Sequence, residues 1–446
     1  MADGARRDGL YLMLLGTAAF LLFGVVLMIA KQDSVEDFRT AYYRGTCLLQ
    51  HCDPYSEADI RNIYTRAGGP LSSSDRTRLV ETRNIYLPTE FPFLVPLALL
   101  PFHAAEAFWI ALIAGSFICA SYAIGRLGAI DAPIISAALV AFCLSNSASL
   151  LYFANPAGFV VPFTVLSACF FIREKFVWAG IVFLAASLAF KPHDSALVWL
   201  YFLLARGTYR KHALQTLAVA TAISLPAVLW VTQLSPHWVQ EMSSNILALS
   251  IPGSVSDPSL PHGTCGLTNL QTITSFFWPD PHSYNFASYL ICAPLFLVWG
   301  FITLRSRPSA MTVWLALASV SALSMLPVYH RQYDAKLILL AIPACAQLWS
   351  RRDSIGWTAL LLTTAAFVLN GDLPWVAFLA FLNHMRWSTA GPSGRLLTAA
   401  WDFPVPLSLL AMGLFYLWIY ARLAFSGPRG EGAKDEKATS LHPAAV

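Results

Sequence analysis

Three groups of polar residues stand out against an otherwise apolar chain. The first runs Asp33-Ser-Val-Glu36-Asp37-Phe38-Arg39-Thr-Ala-Tyr42-Tyr43 and is followed by Cys52-Asp53-Pro54-Tyr55. Carboxylates there are of the type that can take or give a proton. In a helix, Asp33, Glu36 and Asp37 would fall at i, i+3 and i+4 on one face, so spacing does not choose among them. The second group is Phe190-Lys191-Pro192-His193-Asp194 between two apolar runs. A bound phosphate would explain its lone cation, and so would a lysine snorkelling to headgroups. The third is Pro327-Val-Tyr329-His330-Arg331-Gln-Tyr333-Asp334-Ala-Lys336. His330 could donate to a phosphate or carry a proton, and Arg331 could grip phosphate oxygens in a fork. The plainer reading of these groups is an interfacial belt of Tyr, Trp and charges at helix ends. If they gather on one side of a membrane, they would instead suggest a site open to a lipid-borne substrate, without naming the reaction.

The elements that must position these groups are set by composition. Of 446 residues, 57% are hydrophobic and 12% charged, with a mean hydropathy of +0.57. Soluble domains carry about 25% charged residues. The apolar residues form separate runs, many near the roughly 20 residues that a helix needs to cross the hydrocarbon layer. The first, Leu10 to Ala30, is longer than a signal-peptide core and lacks a small-residue cleavage site before Lys31, which makes it a retained helix. Further runs lie near 104–125, 131–152, 157–172, 176–190, 194–205, 212–231, 285–304, 309–328, 335–350, 355–370 and 404–423. The expectation is an all-α polytopic membrane bundle of about twelve transmembrane helices.

With the N-terminus in the cytoplasm, Arg126, Arg173, Lys175, Arg206, Arg210, Lys211, Arg305, Arg307, Arg351 and Arg352 all fall inside, as the positive-inside rule requires. Residues 31 to about 90 and 233 to 283 then lie outside, and the second of these loops has no Lys or Arg. The first holds eight basic and nine acidic residues, an exception allowed to long loops. All three polar groups share the outer face. The segment Leu373 to Leu382, with Pro374 and Trp375, suits an interfacial helix and leaves the side of the C-terminus open. Residues 1–426 read as one membrane domain and 427–446 as a disordered tail. Three of eight cysteines, Cys47, Cys52 and Cys265, lie outside. One disulfide is possible among them, most simply Cys47 with Cys52. The spacing shows no zinc-like pattern and the outer loops lack Asp-x-Asp, so no metal is expected.

The stretches Asp37-Phe38 to Tyr42-Tyr43, Asp53-Pro54-Tyr55, Tyr86-Leu-Pro88-Thr-Glu90-Phe-Pro92 and Pro96-Leu-Ala-Leu-Leu-Pro101 resemble the opening of glycosyltransferase family 87. Ala179-Gly180 with Phe190-Lys191-Pro192 resembles that family's helix and Lys-Pro turn, and Tyr329-His330 its late aromatic-His motif. The order matches over nearly the whole chain. The sequence departs at Ala154-Asn155-Pro156, where many relatives carry Gly-Gln, and at Pro88-Thr89-Glu90, where they often carry a Pro pair.

The resemblance implies a membrane glycosyltransferase of the GT-C class with a long first extracytoplasmic loop. It would move a sugar, commonly mannose, from a polyprenyl-phosphate carrier to a glycolipid, glycan or protein acceptor outside the cytoplasmic (inner) membrane. Asp37 takes the role of general base, and His330 lies near the reacting groups. Lys191, Arg331 and more weakly Arg39 would meet charge on the leaving phosphate. Tyr42, Tyr55 and the aromatic-rich 276–286 segment would stack on sugars, Glu90 belongs with the substrate-binding residues, and Asn269 and Gln271 of the Thr232–Tyr284 loop would line the acceptor cleft. No second carboxylate is placed to act as a nucleophile, so inversion is expected. No cofactor and no nucleic-acid partner are expected. The main alternative is a transporter or flippase of lipid-linked sugars, which would carry paired repeats and charges within the membrane; here the charges sit at helix ends.

Overall fold

The computed structural model describes residues 2–30, 34–67, 81–249, 253, 256–259, 266–374, 376–377 and 403–425. Asp33, Cys265, most of the 373–382 segment and the 427–446 tail lie outside the described residues.

The chain is all-α. Among the described residues there are eighteen α-helices and two 3-10 segments, with one isolated bridge between Leu267 and Arg331. In chain order α1 is Ala2–Ala30, α2 Glu36–Leu49, α3 Glu57–Arg66, α4 Phe91–Ala98, α5 Phe102–Gly128, α6 Pro133–Ser145 and α7 Ser149–Phe153. Then follow α8 Ala157–Arg173, α9 Val177–Phe190, α10 Pro192–Leu204, α11 Thr208–Leu234, α12 Trp238–Leu249 and α13 Gln271–Phe277. The remainder are α14 Pro281–Arg305, α15 Ala310–Leu323, α16 Ile342–Trp349, α17 Ser354–Leu369 and α18 Pro404–Phe425, with 3-10 turns at Pro88–Glu90 and Asp334–Ala341.

Each of the twelve apolar runs becomes helix. Six helical stretches are long and apolar enough to cross a membrane: Gly4–Ala30, Phe102–Gly128, Pro133–Phe153, Thr208–Leu234, Pro281–Arg305 and Pro404–Phe425. Ala157–Arg173, Val177–Phe190, Ala310–Leu323 and Ser354–Leu369 are apolar but shorter. A multi-pass membrane protein follows, with outward apolar surfaces such as Leu15 (68% exposed) and Ile29 (81%) on α1 for the lipid.

Local chemistry sets the boundaries. Pro133, Pro192 and Pro281 stand at first helical positions, where the missing N–H has no partner to lose. Asp280, Ser309 and Asp353 cap the helices that follow them through side-chain oxygens. Close packing sets the rest: a Cβ at Gly16 would stand 2.6 Å from the backbone of Ala141, so α1 and α6 touch main chain to main chain.

Helix α1 carries Arg6 near its start and leads at its other end into the segment holding Asp37. At about 1.5 Å per residue, the two groups sit at opposite faces of the bundle. The buried core runs through α5, α8, α15 and the 334–348 segment. At the end of the bundle that holds Asp37, α2 packs on α3, Cys47 of α2 is disulfide-bonded to Cys52 in the loop between them, and Asn245 of α12 donates to the Tyr55 and Asn84 carbonyls at 3.1 and 3.0 Å.

Candidate functional site

Asp37 sits in the first turn of α2, where helix-dipole and orphan N–H groups favour a carboxylate. The turn that delivers it is anchored by the Val35 N–H, which donates to the Tyr152 carbonyl at 2.7 Å, and it holds Val35 at φ 57°. Left-handed backbone is rare for a β-branched residue and costs on the order of 1–3 kcal/mol. A second left-handed residue, Ala154 at φ 51°, ends α7 and turns Asn155 inward.

These strained turns bring together side chains 118 positions apart. The Asn155 amide donates to Asp37 Oδ2 at 2.8 Å and to the Tyr333 hydroxyl at 3.2 Å. Asn155 Oδ1 accepts from the Ala157 N–H at 2.9 Å, which fixes which end of the amide faces Asp37. Asp37 is half-buried, and its other oxygen takes no hydrogen bond from the described residues. Burial raises its pKa above the ordinary carboxylate value, partly offset by the Asn155 bond and by Arg331, Lys191 and Arg44. A carboxylate with a raised pKa is a better proton acceptor.

Lys191 closes the next layer. Pro192 disfavours α geometry in the residue before it, and Lys191 accordingly breaks the α9–α10 path at φ −143°. Its side chain is 5% exposed. The ammonium contacts Asp334 closely, lies 3.2 Å from Asp194 Oδ2 and sits 5.5 Å from the Tyr333 ring centre. Burial acts to lower the Lys191 pKa, but the two carboxylates outweigh it and raise it. Asp334 also accepts the Arg331 N–H at 2.8 Å, so Lys191 and Arg331 are tied through one carboxylate.

His330 is fully buried, with Nδ1 3.0 Å from the Val328 carbonyl and Nε2 3.3 Å from Asp194 Oδ1. His193 Nε2 lies 3.8 Å from the same Asp194 oxygen. His193, Asp194 and His330 present three donor atoms within 4.8 Å of one another and could hold a divalent cation. The Lys191 ammonium already supplies positive charge to Asp194.

The other residues singled out in the sequence are distributed unevenly. Half-buried Arg331 stacks over Tyr329 and donates to its hydroxyl. Arg39 donates to the Ser34 carbonyl at 3.3 Å. Tyr42 donates to the Leu100 carbonyl at 2.8 Å and packs on Phe38 and Phe102. Tyr55 is 1% exposed, bonded to the Tyr86 carbonyl and set against Trp238. Glu90 is fully buried, with both oxygens 3.1 Å from the Arg44 guanidinium. Asn269 and Gln271 are buried beside the Leu267–Arg331 bridge, Gln271 donating to the Pro327 carbonyl at 2.5 Å.

Sequence reasoning left out Asn155, Tyr333, Asp194, Asp334 and Tyr86 as site residues. Asn155 carried a signal, because it is where the chain departs from the resembled pattern. Tyr86 is half-exposed beneath Arg44, whose guanidinium lies 4.9 Å from its ring centre.

No protein-family model matches the chain, and a search of curated proteins finds no match.

Proposed function

We propose that the chain is an integral membrane glycosyltransferase of the GT-C class, with about twelve spans, that transfers a sugar from a polyprenyl-phosphate carrier to an extracytoplasmic acceptor. The resemblance to glycosyltransferase family 87 makes mannose the first sugar to test. The observation that carries the reading is Asp37 itself: a half-buried carboxylate of raised pKa, held through one oxygen by Asn155 and lying in the field of Arg331, Lys191 and Arg44.

In the reaction the acceptor hydroxyl attacks the anomeric carbon as the bond to the phosphate oxygen breaks. Asp37 takes the hydroxyl proton, and polyprenyl phosphate leaves with the bonding electron pair. The anomeric centre inverts. Arg331, half-buried next to Asp334, meets the departing phosphate, while buried Lys191 acts from behind as a fixed charge and His330 as a positioning residue. Tyr42, Tyr55 and Glu90 support the outer layer that holds α2 in place. No step needs a metal ion or cofactor.

A lipid-linked-sugar transporter remains the second reading, because the same cations would attract the same lipid phosphate. The two separate on chemistry. Purified protein is given a panel of polyprenyl-phosphate sugars with a membrane extract as acceptor, and sugar transfer and free polyprenyl phosphate are measured. Both products rise together for a transferase. Movement of intact donor across proteoliposomes without release of polyprenyl phosphate would establish the transporter.

A further inference from the structure

At the end of the bundle away from Asp37, the start of α1, the end of α5, the start of α6 and the end of α8 surround a cavity of about 620 Å³. Three arginines from three separate segments, Arg6, Arg126 and Arg173, line it, and no carboxylate does. All three are exposed, and none has a hydrogen-bond or carboxylate partner among the described residues. The rest of the lining is largely apolar: Met13 is buried in it, while Leu10 (44% exposed) and Ile130 (72%) leave it open at the surface.

Like charges brought to one cavity disfavour each other, and no ion pair or hydrogen bond among the described residues offsets them. Arg126 and Arg173 gain something from the helix C-termini beside them. That accounts for a basic residue at each position, but not for their convergence with Arg6 on an apolar cavity. An occupant that answers both features has an anionic head for the arginines and a hydrocarbon chain for the apolar wall. Guanidinium pairs well with phosphate oxygens, and basic pockets between membrane helices on the cytoplasmic side suit lipid phosphates.

We propose that this cavity binds the phosphate headgroup of an anionic glycerophospholipid from the cytoplasmic leaflet, with an acyl chain along Leu10, Met13 and Ile130. The site is separate from the Asp37 site and does not depend on the transferase reading. A bound lipid would tie α1 to α5, α6 and α8 at their shared end.

The test uses the full chain purified into nanodiscs containing equal phosphatidylglycerol and phosphatidylcholine, followed by detergent exchange and native mass spectrometry of retained lipid. Wild type should retain phosphatidylglycerol preferentially. Combined Arg6→Gln, Arg126→Gln and Arg173→Gln should cut that preference by about fivefold for each arginine removed. The corresponding triple Lys variant, which keeps the charge, should retain most of it, and Arg351→Gln outside the cavity should leave it unchanged. Equal retention of both lipids by wild type would overturn the proposal. So would an equal loss in the Lys variant or in Arg351→Gln, or displacement of the lipid by inorganic phosphate alone.

Discussion

The side-chain amide of Asn155 donates to the carboxylate of Asp37 at 2.8 Å, joining the start of α2 to the turn before α8. The bond favours the ionised carboxylate, while burial favours the neutral one. The candidate base is therefore set by two opposed effects, one of which a single substitution removes.

Asn155→Ala should raise the Asp37 pKa further, because a stabilising donor to the charged form is lost. Wild-type kcat should fall as pH drops through a value above the ordinary carboxylate range, and the variant's fall should begin at higher pH. A hydrogen bond to a charged group is worth about 1.5–3 kcal/mol, so on the acid limb of the profile, compared at equal pH, kcat should drop roughly 10- to 100-fold with little change in KM. A pH profile that does not move would show that Asn155 does not set the base.

Glu90 and Arg44 form a buried pair with both carboxylate oxygens engaged. Breaking such a pair leaves an uncompensated charge and costs about 3–5 kcal/mol. Glu90→Gln should lower the unfolding temperature in detergent by several degrees. A variant of unchanged thermal stability and raised donor KM would instead make Glu90 a substrate ligand.

Ala154 adopts φ 51°, where an L-residue is disfavoured by about 1–2 kcal/mol and glycine is not. Ala154→Gly should therefore raise stability by up to about 1 kcal/mol and keep activity. Thermal unfolding checks this, and loss of stability would mean that the Ala154 methyl packs more than it strains.

Transfer should survive dialysis against EDTA, since Lys191 and Arg331 supply the positive charge in the proposed reaction. Loss on chelation with recovery on adding a divalent ion would point to His193, Asp194 and His330 as a metal centre.

The apolar runs fixed where helices form because each is long relative to a turn and bounded by charge, proline or a polar cap. Their details were less legible. The run at 131–152 breaks into α6 and α7, and the run at 335–350 opens as a 3-10 segment, because packing rather than composition decides there. The Thr232–Tyr284 loop reads in the sequence as part of an acceptor cleft, with no sign of amphipathic α12 within it. Asp37, Lys191 and Arg331 stood out as charges beside lipid. Their partners did not, because Asn155 lies 118 residues from Asp37 and Asp334 lies 143 from Lys191. Tyr55 looked like a sugar platform for the same reason that it is buried: an aromatic ring with a hydroxyl suits a carbohydrate face and a backbone carbonyl equally well.

The most direct measurement compares wild type with Asp37→Asn, each purified as a folded monodisperse sample, for sugar transfer from polyprenyl-phosphate-mannose and release of polyprenyl phosphate. Removing the general base should lower transfer by at least about 100-fold while donor binding persists. Equal transfer by the two proteins would contradict the assignment of Asp37 as the base.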